Sequence, residues 1–239
     1  MKSNNSSKLM TVYSYLSSAV TLSLLWWIAC IPIVTIGAST AALYNSAMIL
    51  TERDAKPFRL FKESFKKFFK PATVCWCIFL VIGILIGVDY IFFMNVVPNA
   101  LGIVKVISII LAVTWAFIVL YLFPVITTFS GTNFELVFNA LILSFMHAPM
   151  TILMFAVYFL GAYGGGKVLY ALSTLLLMYS GLSSQLSSAQ GFVAFASTFL
   201  FFLLLLPGAA ALINGLIFKK VFKEYVSPEY VRYNSLCKK

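Results

Sequence analysis

The chain has 239 residues, of which 62% are hydrophobic and only 10% are charged. Soluble domains typically carry about 25% charged residues, so this composition excludes an ordinary soluble globular protein. The net charge of +10 is concentrated beside apolar segments, which indicates membrane topology rather than nucleic-acid binding. We therefore expect an all-α, polytopic helical membrane protein with about five transmembrane helices, cytoplasmic amphipathic surface helices and one integral membrane domain over residues 1–239.

Apolar segments alternate with short polar stretches along the chain. Crossing the hydrocarbon core takes about 20 apolar residues. Five segments are predicted to do so: 14–36, 72–94, 103–123, 149–165 and 191–217. The first is longer than the apolar region of a signal peptide, so we expect it to be retained. A further segment, 168–182, is short and flanked by glycines and serines, which fits an interfacial or re-entrant piece better than a crossing.

Basic residues predict the orientation. Residues 51–70 carry seven Lys and Arg against three Asp and Glu, and the tail 218–239 carries six against two. Lys and Arg are retained on the cytoplasmic side of a membrane. Both segments are therefore expected in the cytoplasm, which five crossings allow when the N-terminus lies outside and the C-terminus inside. Six crossings would put one of them on the wrong side.

Residues 56–70 have helical periodicity. At 100° per residue the phenylalanines of this block fall in one arc, and most of its charged residues occupy the other side. The pattern predicts an amphipathic helix that lies on the inner leaflet or docks a partner. Its candidate contact residues are Phe58, Phe61, Phe65, Phe68, Lys62, Lys66 and Lys67. The alternative is a positively charged cytoplasmic loop with no further role.

Two prolines interrupt apolar segments and are followed by hydroxyl residues. Proline removes a backbone hydrogen bond, so each site predicts a kink or a break. The pattern Pro-x-x-Thr occurs at both, and it suggests an internal repeat. Such a break is either the turn by which a span leaves the membrane, which we favour, or a half-helix lining a polar cavity. The candidate residues are Pro32, Thr35, Gly37, Ser39, Thr40, Tyr44, Pro124, Thr127 and Thr128.

Two ionisable residues lie inside predicted spans. Asp89 is late in the second span and Lys105 is early in the third. A charge at the bilayer centre costs about 2.5–3.5 kcal/mol on insertion scales, so pairing offsets part of that cost. In an antiparallel hairpin the two would sit at similar depth, and we predict that they form an ion pair. The alternatives are separate snorkelling to the outer interface and an ion-coupling role for Asp89.

Residues with recognisable chemistry are few. Cys75 and Cys77 project to opposite sides of a helix, and the one histidine, His147, has no acidic or thiol neighbour in sequence. No phosphate-binding loop of the Gly-x4-Gly-Lys-Ser/Thr type occurs. We therefore expect no enzyme activity, no metal and no cofactor.

The run Leu24–Tyr44 (LLWWIACIPIVTIGASTAALY) resembles the signature of the YesL-like family of uncharacterised bacterial integral membrane proteins. The phenylalanine-rich helix, the run Pro71-Ala72-Thr73 and Asp89 extend the resemblance over roughly residues 20–90. One departure is Ser23, where the family often has asparagine, which weakens any role assigned to an amide there.

Members of this family tend to be encoded beside carbohydrate importers and polysaccharide-degrading enzymes. The family has no established activity and no catalytic residues to transfer. The resemblance implies an accessory component of oligosaccharide uptake in the bacterial cytoplasmic membrane, with an ABC-type sugar permease or its associated proteins as partner. A small transporter or channel is the alternative, and a homo-oligomer stays open.

Overall fold

The computed structural model describes residues 3–50, 56–95, 102–179, 206–222 and 225. Of these residues 93% are α-helical and none is in a strand, which confirms the all-helical prediction. The helices are α1 (Ser3–Ala29), α2 (Ile36–Leu50), α3 (Pro57–Asn95), α4 (Gly102–Thr128), α5 (Asn133–Met146), α6 (Ala148–Tyr179) and α7 (Leu206–Phe222), with a 3₁₀ turn at Ile33–Thr35 before α2. They divide into two compact units. The single domain expected from the sequence includes both units.

Three of the described helices are long and apolar enough to cross a membrane. Their apolar stretches are Ile33–Leu50, Pro57–Phe92 and Val106–Thr128, and a fourth span is added if the bent pair α5–α6 counts as one. Length and composition do not decide the number. The predicted last span, 191–217, and the tail, 218–239, lie mostly outside the described residues.

The predicted segment 14–36 is not one helix. Helix α1 ends at Ala29, and a bend at Cys30–Pro32 leads into the 3₁₀ turn and then α2. Proline has no N–H to donate and its ring clashes with the preceding turn, so the helix stops just before Pro32. The sequence predicted the break at Pro32, but it did not predict the apolar 15-residue helix α2 that comes after it.

The first unit contains residues 1–27, 46–58 and 152–239. In it α7 packs closely on α1, because a Cβ atom at Gly208 would collide with the carbonyl oxygen of Ala19. The N–H of Gly208 donates a 2.8 Å hydrogen bond to Ser23 Oγ. Further along α7, Gly215 lies against Ala47 and Met48 of α2. Small residues thus let the helix backbones approach, as they do in membrane helix pairs.

Helix α6 runs without interruption from Ala148 to Tyr179. The predicted break between 149–165 and 168–182 is therefore wrong for the described part of the chain, and Gly164, Gly165 and Gly166 lie inside the helix. Glycine has low helix propensity in water, but it is common in membrane helices.

The second unit contains residues 28–45 and 59–151, and α2 and α3 form an antiparallel pair in it. Asn45 Nδ2 donates to Ser64 Oγ at 2.7 Å, Gly37 faces Ala72, and the indole N–H of Trp76 donates to the Ile33 carbonyl oxygen at 2.9 Å. The contact residues rise from 33 to 45 on the first segment while their partners on α3 fall from 76 to 64, so the two helices are antiparallel. The buried face of α3 has the 3–4 spacing of a packed seam: Phe61, Ser64, Phe68, Ala72, Cys75 and Phe79.

Helices α3 and α4 form a second antiparallel pair. Trp115 donates its indole N–H to the Phe79 carbonyl oxygen at 2.9 Å, and Gly83 leaves room for the Trp115 ring. The rings of Trp76 and Phe123 lie 6.1 Å apart. Helix α5 then packs along α4, with the Phe117 and Phe145 rings 6.2 Å apart.

Helix α3 has 39 residues and continues through Pro71. At 1.5 Å per residue it is about 58 Å long, nearly twice the hydrocarbon thickness of about 30 Å. The predicted surface helix 56–70 and the predicted span 72–94 are therefore one helix. A helix that continues through a proline is kinked rather than turned through a right angle, so we infer that the first half of α3 projects from the membrane instead of lying flat on it.

The contacts of α2 place it beside the charged half of α3. That half exposes Arg59, Lys62, Glu63, Lys66, Lys67 and Lys70, and each charge in hydrocarbon is costly. We infer that α2, although apolar enough to span, lies outside the hydrocarbon core. Burial agrees, since 61% of its apolar stretch is buried in the protein, against 11% for α3 and 22% for α4.

We predict that Gly37→Ala destabilises the protein. A Cβ atom at Gly37 would overlap Trp76 and lie 2.6 Å from the Ala72 carbonyl oxygen, and such overpacking typically costs about 1–3 kcal/mol. The matched control is Gly87→Ala, because nothing lies within 4 Å of a Cβ atom there. Thermal unfolding in detergent is expected to show a lower Tm for Gly37→Ala alone. Equal Tm values for both variants would contradict the α2–α3 packing.

Candidate functional site

The hydroxyl groups after Pro32 bond to backbone carbonyls of their own segment. Thr35 Oγ1 donates to the carbonyl oxygens of Ala29 at 2.6 Å and Pro32 at 2.8 Å. Ser39 Oγ donates to the Thr35 carbonyl and Thr40 Oγ1 to the Ile36 carbonyl, both at 2.8 Å. A broken helix leaves carbonyls without N–H partners, and Thr35 supplies a donor directly across the break.

The second proline site uses its threonines in the same way. Pro124 is fully buried inside α4. Thr127 Oγ1 donates to the Pro124 carbonyl at 2.8 Å, and Thr128 Oγ1 donates to it at 2.9 Å. Both Pro-x-x-Thr sequences thus form a threonine-to-proline hydrogen bond over three residues, although Pro32 ends a helix and Pro124 does not.

The remaining two candidates at the Pro32 site are packing residues. Gly37 is the point of closest approach between α2 and Trp76. Tyr44 is only 2% exposed. The Pro32 set and the Pro124 set each form hydrogen bonds within their own segment, and Trp76 contacts residues next to both prolines, Ile33 and Phe123.

Asp89 has a partner in the structure. Ser108 Oγ, on α4, donates a 2.6 Å hydrogen bond to Asp89 Oδ2. The Lys105 side chain lies outside the described residues, so the Asp89–Lys105 ion pair stays a prediction. The α3–α4 pairing does bring this part of both helices together.

The amphipathic half of α3 divides into a buried face and an exposed one. Phe61 and Phe68 are 5% and 8% exposed, so they pack inside the protein and are not available to lipid or a partner. The prediction that these two phenylalanines contact lipid or a partner is therefore wrong. Phe58 is 58% exposed, Phe65 is half-buried, and Lys62, Lys66 and Lys67 are exposed.

Sequence reasoning missed two polar residues in the first unit. Ser23 is fully buried and accepts the N–H of Gly208, one of the first N–H groups of α7, which lack partners inside their own helix. Its position was marked in the sequence only by a polar residue in an apolar run. Asn214 on α7 is also fully buried, and neither atom of its amide has a hydrogen-bond partner among the residues that the structure describes.

In the described part of the chain, no three or more His, Cys, Asp and Glu side chains come together as a metal site. Cys75 is buried and Cys77 is half-buried.

Residues 19–90 match a family model described as "Protein of unknown function, DUF624". The match begins in α1 and includes the Pro32 break, α2 and most of α3. It is compatible with the YesL-like resemblance over residues 20–90 and consistent with an uncharacterised family. No curated protein and no solved structure matches the chain.

We predict that Asp89 and Lys105 are energetically coupled. Asp89→Asn keeps an oxygen that can accept from Ser108, so a cycle of Asp89→Asn, Lys105→Gln and the double variant isolates the charge interaction. Unfolding in detergent is expected to give a coupling energy of about 1 kcal/mol. The control cycle pairs Asp89→Asn with Lys70→Gln, a lysine about 28 Å away on the same helix, and should be additive. Additivity in both cycles would contradict the ion pair.

Proposed function

We propose that the protein is a non-enzymatic component of the bacterial cytoplasmic membrane and an accessory subunit in the ABC-type uptake of oligosaccharides. The apolar helices and the DUF624 match support the membrane part. The carbohydrate part rests on the YesL-like resemblance, whose members tend to be encoded beside sugar importers.

One observation favours an accessory role over transport by the chain itself. The hydroxyls of Thr35, Ser39, Thr40, Thr127 and Thr128 all donate to backbone carbonyls in their own segments. A substrate or ion path through a broken helix needs polar groups that face the path. These hydroxyls instead bond to the backbone of their own segments, where four of them lie three to four residues from their acceptors and Thr35 also reaches Ala29 across the break.

The projecting half of α3, together with α2, supplies a surface for a partner. Its excess of Lys and Arg favours a cytoplasmic position by the positive-inside rule. The ATP-hydrolysing subunits of an ABC importer work on that side. The α2–α3 pair thus provides a helical platform at the right side of the membrane, with Phe58 exposed near its end.

The alternative function is a small transporter or channel, and Asn214 favours it. Its buried amide has no hydrogen-bond partner in the described part of the chain, and an amide left unpaired in a protein interior is costly. Polar residues buried inside membrane segments are rare and often mark substrate or ion pathways. A transport role would use Asn214 of α7 and not the hydroxyls at the proline sites.

Purification of the tagged full-length protein from its native membrane tests the proposal. We expect mass spectrometry to find a sugar permease and its ATPase in amounts comparable to the protein. Phe58→Ala should reduce their recovery. The matched control Phe134→Ala, which removes a phenylalanine that is 80% exposed on α5, should not.

Recovery of the chain alone, as a monomer or homo-oligomer, would contradict the accessory role. Substrate flux through the purified protein in liposomes would then support the alternative, provided that Asn214→Leu abolishes the flux.

A further inference from the structure

A depression of about 480 Å³ lies on the projecting half of α3, where the charged block meets the apolar run. It is lined by Phe65, Lys66, Lys67, Phe69, Lys70 and Pro71. Three of its six lining residues are lysines, and the other three have apolar side chains. The surface combines positive charge with apolar contact area in a small space.

The three lysines have no carboxylate partner in the described part of the chain. The nearest acidic residue on the helix, Glu63, is held by Arg59 at 2.8 Å. Lys67 Nζ lies 5.0 Å from the centre of the Phe68 ring, which is a weak attraction compared with an anion. The site therefore presents positive charge that no described protein group neutralises.

The depth of the depression matches lipid headgroups. Residues 71–88 contain no charged side chain, and they form the stretch of α3 that crosses hydrocarbon. Lys70 is the last charge before that stretch, so the lysines lie at the level of the phosphate groups. Lysine at this depth is attracted to anionic lipid.

An apolar stripe continues from the lysines into the membrane. Val74, Ile78, Val81 and Leu85 are all about half or more exposed. At 100° per residue they share one arc of about 80° with Lys67 and Lys70. From Lys70 to Leu85 the helix rises about 22 Å, which exceeds the about 15 Å of hydrocarbon in one leaflet. The stripe is therefore long enough to contact an acyl chain over the whole length of that chain.

We propose that this face of α3 is a binding site for one anionic phospholipid of the inner leaflet. The lysines bind the phosphate, Phe65 and Phe69 line the depression at the level of the headgroup, Pro71 follows at the glycerol level, and the stripe from Val74 to Leu85 holds a chain. The charge of the site and the apolar stripe together select a lipid over a soluble phosphate. The site is independent of the accessory function.

Native mass spectrometry of the full-length protein in detergent, titrated with long-chain phosphatidylglycerol or phosphatidylcholine, tests the proposal. The wild-type protein is expected to retain one phosphatidylglycerol molecule in preference to phosphatidylcholine. Lys67→Gln/Lys70→Gln should lower the phosphatidylglycerol affinity roughly 30-fold, because two lysine contacts to an anionic headgroup are lost. The control Lys56→Gln/Lys62→Gln removes two exposed lysines of the same block outside the depression, and it should leave the affinity unchanged.

Three results would overturn the proposal. Equal retention of both lipids by the wild-type protein excludes a headgroup site and needs no variant. Equal loss of affinity in the two double variants indicates attraction to the whole basic block. Displacement of the lipid by inorganic phosphate, or equally tight binding of a short-chain phosphatidylglycerol, indicates an anion site in which the apolar stripe has no part.

Discussion

The contact of Trp76 with the chain segment after Pro32 is the constraint on which the second unit depends. Its indole N–H bonds to the Ile33 carbonyl, its Cβ leaves no room for a side chain at residue 37, and its ring stands beside Phe123. One side chain thus joins α2, α3 and α4. Because Trp76 lies near the start of the uncharged run of α3, this contact also sets where α2 stands relative to the membrane. The apolar helix α2 is directed away from hydrocarbon and beside the lysine-rich half of α3.

This arrangement gives the two halves of α3 different environments. The outer surface of residues 74–92 is apolar and open to lipid, whereas residues 57–70 present charge on one side and pack on α2 with the other. The hydroxyl groups at the proline sites donate hydrogen bonds to backbone carbonyls of their own segments. The surfaces that remain for recognition are the basic face of α3, the exposed phenylalanines and the apolar stripe from Val74 to Leu85.

The sequence predicted elements better than it predicted their partners. Pro32 was sufficient to predict a break, since a missing N–H acts locally. The phenylalanine period predicted an apolar face on residues 56–70, but periodicity does not identify what covers a face, and Phe61 and Phe68 pack inside the protein where lipid or a partner was expected. Pro71 was read as a boundary, although α3 continues through it, because membrane helices accommodate proline. Ser23 was noticed only as a departure from a pattern, since its partner Gly208 lies 185 residues away.

We infer that α3 is one helix that crosses the membrane and projects from it. Spin labels at Lys62 and Val88, both exposed, test this most directly, in full-length protein in lipid nanodiscs with the four native cysteines replaced by alanine. A continuous helix separates these two backbone positions by about 39 Å, and double electron–electron resonance is expected to give a distance near that value. A distance near 29 Å, that of a right-angled turn at Pro71 computed with the same rise per residue, would show that residues 57–70 lie flat on the membrane and would contradict the account.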